Sequence, residues 1–301
     1  MAGAAEATEA DDARRLLIGY VAIVTAVLIW GGWIVATRHA MLEARAPLDI
    51  ALLRYGAPAL LLAPIWLRKG IFPPGESPWR LAIMTAGWGG PFVLLISTGM
   101  QTVEASLFGP LVPGLLPLVV ALWERAAEGR RLTAGRMFGL LFILAAVALI
   151  LGPAALSGDA GLLSGAPFLL AACCGWSAFT IVYRRTGLSG LEAAAYVCLY
   201  STPFLLAAAV VFGSELPSFS LEEAAWHVTV QGVLSGMLSV AAYGFAVKTL
   251  GLARASAFTS LVPVIAAVGG WLFLAEAVGL AGWAASISAC VGVLLVNRYA
   301  A

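Results

Sequence analysis

Long apolar runs separated by short polar punctuation dominate the chain. Ten such runs lie at about 16–37, 46–67, 79–100, 104–123, 133–152, 163–184, 191–212, 226–249, 254–275 and 279–297, hereafter spans 1 to 10. Each is long enough to cross a bilayer as a helix, for which about 20 apolar residues suffice. A helix satisfies its own backbone in hydrocarbon, so the expected fold is all-α integral membrane, with ten transmembrane helices. Loops between the runs are short, so consecutive spans run antiparallel.

Composition agrees. Hydrophobic residues make up 61% of the 301 and charged ones only 11%, against about 25% charged in soluble domains. The leader 1–15 contains four acidic residues, and the run after it exceeds a signal-peptide core of 7–15 residues. It reads as a flexible cytoplasmic tail. A net charge of +1 argues against a nucleic-acid partner. Cys173, Cys174, Cys198 and Cys290 lie within apolar runs and read as packing residues, with no disulfide or metal set among them.

Charge placement sets a direction. With the N-terminus inside, 14 of the 17 Lys and Arg fall at inner positions, and Arg38, Arg45 and Arg54 cluster around the first outer loop. The positive-inside rule therefore places both termini in the cytoplasm. Trp66, Trp79, Trp123, Trp226, Trp271 and Trp283 sit near span ends as an interfacial belt, whereas Trp30, Trp33, Trp88 and Trp176 lie deeper.

The halves repeat. "WGGWIVATRH" (30–39) aligns with "WSAFTIVYRR" (176–185), and "ASLFGPLVP" (105–113) with "ASAFTSLVP" (255–263), at offsets of 146 and 150 residues. Span 1 thus pairs with span 6 and span 4 with span 9. Five spans per half is an odd number, so the halves have opposite topology: two inverted repeats, 16–155 and 156–301, in one membrane domain. Inverted repeats about a midplane site are a mark of secondary transporters.

Pro110, Pro113 and Pro117 share a face of span 4 with Ser106, and Ser256, Ser260 and Pro263 repeat the pattern in span 9. Proline frees backbone carbonyls that cannot be left facing lipid, so this face should look into the bundle. Pro110, Pro113, Pro117 and Pro263 are candidate gating hinges. The alternative is a static kink.

Polar and aromatic residues at helical spacing mark a candidate pathway. Gln231, Ser235, Ser239 and Tyr243 follow one another at four-residue intervals in span 8. Trp30, Trp33 and Thr37 share a face of span 1, and Trp176, Thr180 and Tyr183 one of span 6. Trp88, Ser97 and Gln101 occupy span 3 and its outer end, and Tyr196 and Tyr200 span 7. Such residues either line a wet path or bond helix to helix. Each deep tryptophan is a ligand platform or a packing residue. Arg54, eight residues into span 2, is the sharpest pointer. It could fork onto a substrate carboxylate, or be a structural arginine held by carbonyls. Asp49 and Glu276 fall near outer helix ends and read as solvated, and His39 and His227 as close to the outer surface. No carboxylate falls at mid-depth, which makes proton coupling doubtful.

The five-plus-five layout, "PLDIALLRY" (47–55) opening span 2 and the paired "LVP" motifs resemble the EamA-type branch of the drug/metabolite transporter superfamily across essentially the whole chain. Pro110 and Pro117 depart from that symmetry, since Ser260 and Ala267 stand at the equivalent places of span 9. The resemblance implies a multi-pass protein of the bacterial inner membrane that exports or exchanges small metabolites through a central cavity. Within the family the chain is similar to amino acid exporters. Arg54 matches the arginine of the family's span 2 motif. Phosphorylated or nucleotide-sugar substrates would want several deep Lys or Arg, whereas only Arg54 is deep, so a neutral or zwitterionic substrate fits better. No HExxH, phosphate-binding glycine loop or deep His-carboxylate set supports an enzyme, and no polar filter a channel. The expected partners are a small-molecule substrate and the bilayer, with no cofactor and no metal, in a monomer or weak oligomer.

Overall fold

A computed structural model describes the backbone of residues 2–299 and the side chains of 14–299, except Leu252, Ala253 and Ser256. Ser256, grouped above with Ser260 and Pro263, therefore lies outside the described side chains. Among the described residues every regular element is helical. Nine helices among the described residues are long and apolar enough to cross a membrane, and the pair Pro47–Leu61 and Ala63–Lys69, bent by 58° at Leu62, makes ten when counted as one broken span. The bend falls just before Pro64, the second residue of the second piece, which has no N–H to offer the preceding turn.

In chain order the elements are α1 (Ala2–Leu42), α2 (Pro47–Leu61), α3 (Ala63–Lys69), α4 (Pro78–Trp88), α5 (Gly90–Gly99), α6 (Ala105–Leu111), α7 (Leu116–Ala127), α8 (Ala134–Ser157), α9 (Ala160–Tyr183) and α10 (Gly190–Phe212). Then come α11 (Leu221–His227), a π-helical segment Val228–Leu238, α12 (Ser239–Leu250), α13 (Leu252–Thr259), α14 (Val262–Leu274) and α15 (Leu280–Arg298). The leader expected as a flexible tail is helical from Ala2 onward, and only Arg14–Leu42 of α1 is apolar enough to span.

Packing follows an inverted two-fold relation. Span 2 packs on span 7, span 4 on span 9 and span 5 on span 10, while span 1 packs on span 8 and span 3 on span 6. Exchanging the halves maps each of the first three contacts onto itself and the last two onto each other. Two five-span repeats of opposite topology produce that pattern. The Gly135–Gly139 spacing serves packing within this chain: Gly139 faces the Gly292 backbone of span 10, and Gly135 faces the ring of Tyr299.

Three spans are interrupted near their middles. Span 3 breaks at Gly89, two residues before Pro91, and Ser201 Oγ accepts from Gly90 N at 2.9 Å across the gap. Span 4 breaks between α6 and α7, where Gly114 N bonds back to Gly109 O at 2.9 Å, one residue further than in an α-helix. Span 9 breaks at Ser260–Leu261. These breaks correct the proline alignment. Pro117 and Pro263 are each the second residue of the half-helix beyond the break, 146 residues apart. The "LVP" match is therefore shifted by one helical turn, and the counterpart of Pro263 is Pro117. Gly109 of span 4 lies against Pro263 so closely that an added Cβ would sit 2.4 Å from the proline Cα. The two bends touch at the centre of the bundle.

Two carboxylates expected in solvent are buried. Asp49 accepts from Ser214 Oγ at 2.6 Å and Glu215 N at 2.9 Å, which fastens the start of span 2 to the loop after span 7. Glu276 is 8% exposed and pairs with Arg38 at 2.9 Å. His227 is also buried. Short loops fold back over helix ends here, and a buried carboxylate persists because donors surround it.

Candidate functional site

Span 8 carries a stripe of polar residues four apart, and part of it lies in the π-helical segment. Gln231, Ser235 and Ser239 are all buried. Nothing in the sequence signals the π segment. Gly232 lets span 8 approach span 2, since an added Cβ would lie 2.8 Å from Pro58 Cγ and 3.3 Å from the Arg54 carbonyl oxygen.

The Gln231 amide is engaged at both its oxygen and its nitrogen. Its Oε1 accepts from Trp33 Nε1 at 2.6 Å, and its Nε2 donates to Thr37 Oγ1 at 3.3 Å. Thr37 also bonds back to Trp33 O at 2.8 Å. This network holds the Trp33 indole under the guanidinium of Arg54, whose Cζ lies 4.5 Å from the Trp33 ring centroid and 5.7 Å from that of Tyr55. Arg54 Nη1 donates to Gln231 O at 2.8 Å and Ser235 Oγ at 3.0 Å. Arg54 is 5% exposed, and its Nε has no partner. Among the described residues no carboxylate forms an ion pair with it. A buried charge is costly unless paired. Ring faces and neutral acceptors offset part of that cost.

The break in span 3 completes the site. Tyr55 donates from its hydroxyl to Trp88 O at 2.8 Å, using a carbonyl at the helix break. Arg54, Tyr55, Trp88, Cys198 and Gly236 surround a space of about 10 Å³, room for about one water. Tyr55 was not among the residues singled out from sequence, although it directly follows Arg54 in the same motif.

Other candidates have other places. Trp30 packs on Tyr243 with centroids 5.4 Å apart, and Trp176 meets Phe92 edge-on at 5.9 Å, the same span 1–8 and span 6–3 contact in each half. Trp88 stacks on Phe179 at 5.0 Å. Thr180 and Ser239 bond back to carbonyls of their own helices, at 2.8 Å to Trp176 O and 2.6 Å to Ser235 O. Two candidates lie apart from the Arg54 cluster. Tyr196 donates to Gly70 O at 2.9 Å and, with Tyr200 on Ile71 O, fastens the loop after span 2 to span 7. Gln101 is exposed beyond span 3 and offers only its backbone carbonyl, at 3.0 Å to Arg38 Nη1. Both are end-of-span residues whose chemistry serves loop anchoring. Pro110 is buried against the bundle, with Pro113 and Pro117 half-buried.

A second hollow of about 580 Å³ opens on the face carrying the loop between spans 1 and 2, lined by His39, Glu43, Arg45, Glu223, Trp226 and His227. His227 of this lining stands one turn before Gln231 in span 8. Among the described residues no three His, Cys, Asp or Glu side chains gather to hold a metal.

Comparison with known proteins agrees with this architecture. The family model "EamA-like transporter family" matches residues 17–152 and again 163–298, one copy per half and 146 residues apart. An uncharacterized transporter, YoaV, of Bacillus subtilis (strain 168) is 23% identical over 277 residues, which is 91% of this chain and 94% of that protein. A protein of known crystal structure superposes with a TM-score of 0.60 at 18% identity, covering 94% of this chain and 97% of the other, and supports the fold alone.

Proposed function

The chain belongs to the EamA-like transporter family, and we propose that it exports small neutral or zwitterionic metabolites, aromatic and apolar amino acids foremost, by alternating access through the Arg54 site. One observation carries the reading: a buried guanidinium with a free Nε, held on an indole face and lacking a carboxylate partner. A substrate carboxylate supplies the missing charge through charge-assisted hydrogen bonds. Trp88, Tyr55 and Trp33 supply apolar ring surface beside it, suited to an aromatic or apolar side chain. A phosphorylated substrate would bring about two negative charges to a site with one cation.

In the proposed cycle the substrate enters from the cytoplasm, where the basic loops place both termini. The half-helices of spans 4 and 9 then swing about the breaks at Pro117 and Pro263. Two inverted repeats make the two openings equivalent in kind. Counterflow in proteoliposomes tests the substrate class. A panel of free amino acids should compete, with aromatic and apolar ones strongest, and their methyl esters, which lack the carboxylate, should not. Equal competition by acids and esters would remove Arg54 from substrate recognition. For orientation, a cysteine at Ser157 should react with an impermeant thiol reagent only from outside. Reaction only from the cytoplasmic side would reverse the assignment.

A further inference from the structure

The arginines of two ion pairs occupy inversion-related places at opposite faces of the membrane. Arg38 near the end of span 1 and Arg184 at the end of span 6 are 146 residues apart, the offset of the two family-matched segments. Spans 1 and 6 run in opposite directions, so their final arginines lie at opposite faces. Each arginine reaches into the other half of the molecule. Arg38 Nε meets Glu276 Oε1 at 2.9 Å, just beyond the second piece of span 9. Arg184 meets Glu124 Oε1 through Nη1 at 3.1 Å and Nη2 at 3.0 Å, near the end of the second piece of span 4. Glu124 lies within the half-helix beyond its proline break and Glu276 two residues past the end of its own, so the carboxylates are 152 residues apart, six off the register of the arginines.

Each pair gathers further spans. Arg38 Nη1 donates to Met100 O at 2.5 Å and to Gln101 O at 3.0 Å, and Glu276 Oε2 accepts from Ala105 N at 2.9 Å. Span 1, the end of span 3, the start of span 4 and the end of span 9 are thus joined at one point. On the other face Glu124 Oε2 also accepts from Arg136 Nη2 at 2.6 Å, which joins spans 4, 5 and 6. A staple serving stability alone could fall anywhere. The arginines of these two fall at matched positions, both pairs cross between the halves, and each carboxylate lies on or just past a half-helix that follows a proline break. Both are made in the same structure.

We propose that Arg38–Glu276 and Arg184–Glu124 are the two latches of the transport cycle, closed together in the occluded state and released one at a time. Release of the first opens the face with the span 1–2 loop, and release of the second opens the opposite face. The latches are not equal. The Arg38 and Glu276 side chains are 10% and 6% exposed, whereas Arg184 is 47% exposed against 4% for Glu124. The Arg184 latch is the more hydrated and the easier to release.

The proposal rests on alternating access but needs no substrate to test. Single reporter cysteines are placed in the full-length chain with the four native cysteines changed to alanine. Ser97→Cys lies buried one turn below the carbonyls that Arg38 clasps, and Ser177→Cys two turns below Arg184. An impermeant thiol reagent is added to right-side-out and inside-out vesicles. Glu276→Gln should raise labelling of Ser97→Cys about tenfold, the effect of one weakened charge-assisted bond, without raising Ser177→Cys. Arg184→Gln should do the reverse, leaving the Glu124–Arg136 pair intact. If Glu276→Gln does not give a monodisperse protein, Arg38→Gln reports on the same latch. Both reporters rising together, or neither, would overturn the proposal. Sided labelling with no amino acid transport would leave the latches standing and remove only the substrate reading. Transport with unsided labelling would do the opposite.

Discussion

Replacing Arg54 by methionine separates a recognition residue from a structural one. Methionine fills a similar volume without charge. Two hydrogen bonds from Arg54 Nη1 are lost, to Gln231 O and Ser235 Oγ. At about 1.5–3 kcal/mol for each bond to a charged group they total roughly 3–6 kcal/mol. Contact with the Trp33 face adds about 0.5–2 kcal/mol. Against this stands the desolvation of a lone guanidinium, several kcal/mol in a dry interior. The terms nearly cancel, so thermal stability should change by no more than a few degrees. Substrate affinity has no such compensation. Loss of a single charge-assisted bond to a carboxylate, worth about 1.5–3 kcal/mol, weakens binding roughly 10- to 150-fold. The assay is ligand binding and counterflow on the purified variant, with its melting curve in the same detergent. Unchanged affinity together with a large loss of stability would refute the assignment and make Arg54 a structural residue. Arg54→Lys should fall between, since lysine keeps the charge but not the planar fork.

The Pro117→Ala, Pro263→Ala double variant should slow counterflow severalfold with nearly unchanged binding, because proline offers a ligand no polar group. Unimpaired exchange would make the bends static. Gly232→Ala forces a methyl to 2.8 Å from Pro58 Cγ, and at about 1–3 kcal/mol for overpacking it should lower the melting temperature by several degrees; an unchanged melt would mean span 8 can shift freely. Burial, followed by the charge of Glu276, raises the pKa of Glu104 in the loop entering span 4 above the usual 4.5. The native state therefore holds this proton more tightly than the unfolded chain, and stability is lost as pH rises from that value through the native one. Melting temperature against pH should flatten over that window in Glu104→Gln, and an identical profile would show that other groups govern it.

The spans were legible because lipid demands long apolar runs and the charges punctuate them. The inverted repeat was legible too, down to the Trp30–Trp176 match. The span 8 stripe could be read from spacing alone, and the structure places Gln231 and Ser235 against Arg54 and Trp33. What stayed hidden was partnership over distance. Glu276 looks like a loop carboxylate until Arg38, 238 residues earlier, folds against it. Asp49 misled in the same way. The proline pairing slipped by a turn because "LVP" recurs on both sides of the break, and only the backbone shows where each half-helix restarts. The π segment leaves no mark in residue type, since its residues suit an α-helix equally.

The solitary charge of Arg54 has an electrical consequence. In a carrier that opens to one side at a time, the site takes the potential of the compartment it faces. A fixed positive charge there is favoured on the negative side by about 2.3 kcal/mol per 100 mV. Across an energised bacterial membrane the empty carrier would thus dwell facing the cytoplasm, ready to load. A bound zwitterion leaves the net charge at one, and a bound anion cancels it. A potassium diffusion potential across proteoliposomes should then alter net export of zwitterions while leaving anion-loaded reorientation nearly voltage-independent. Equal voltage response for both would mean that a counter-ion accompanies Arg54 throughout the cycle.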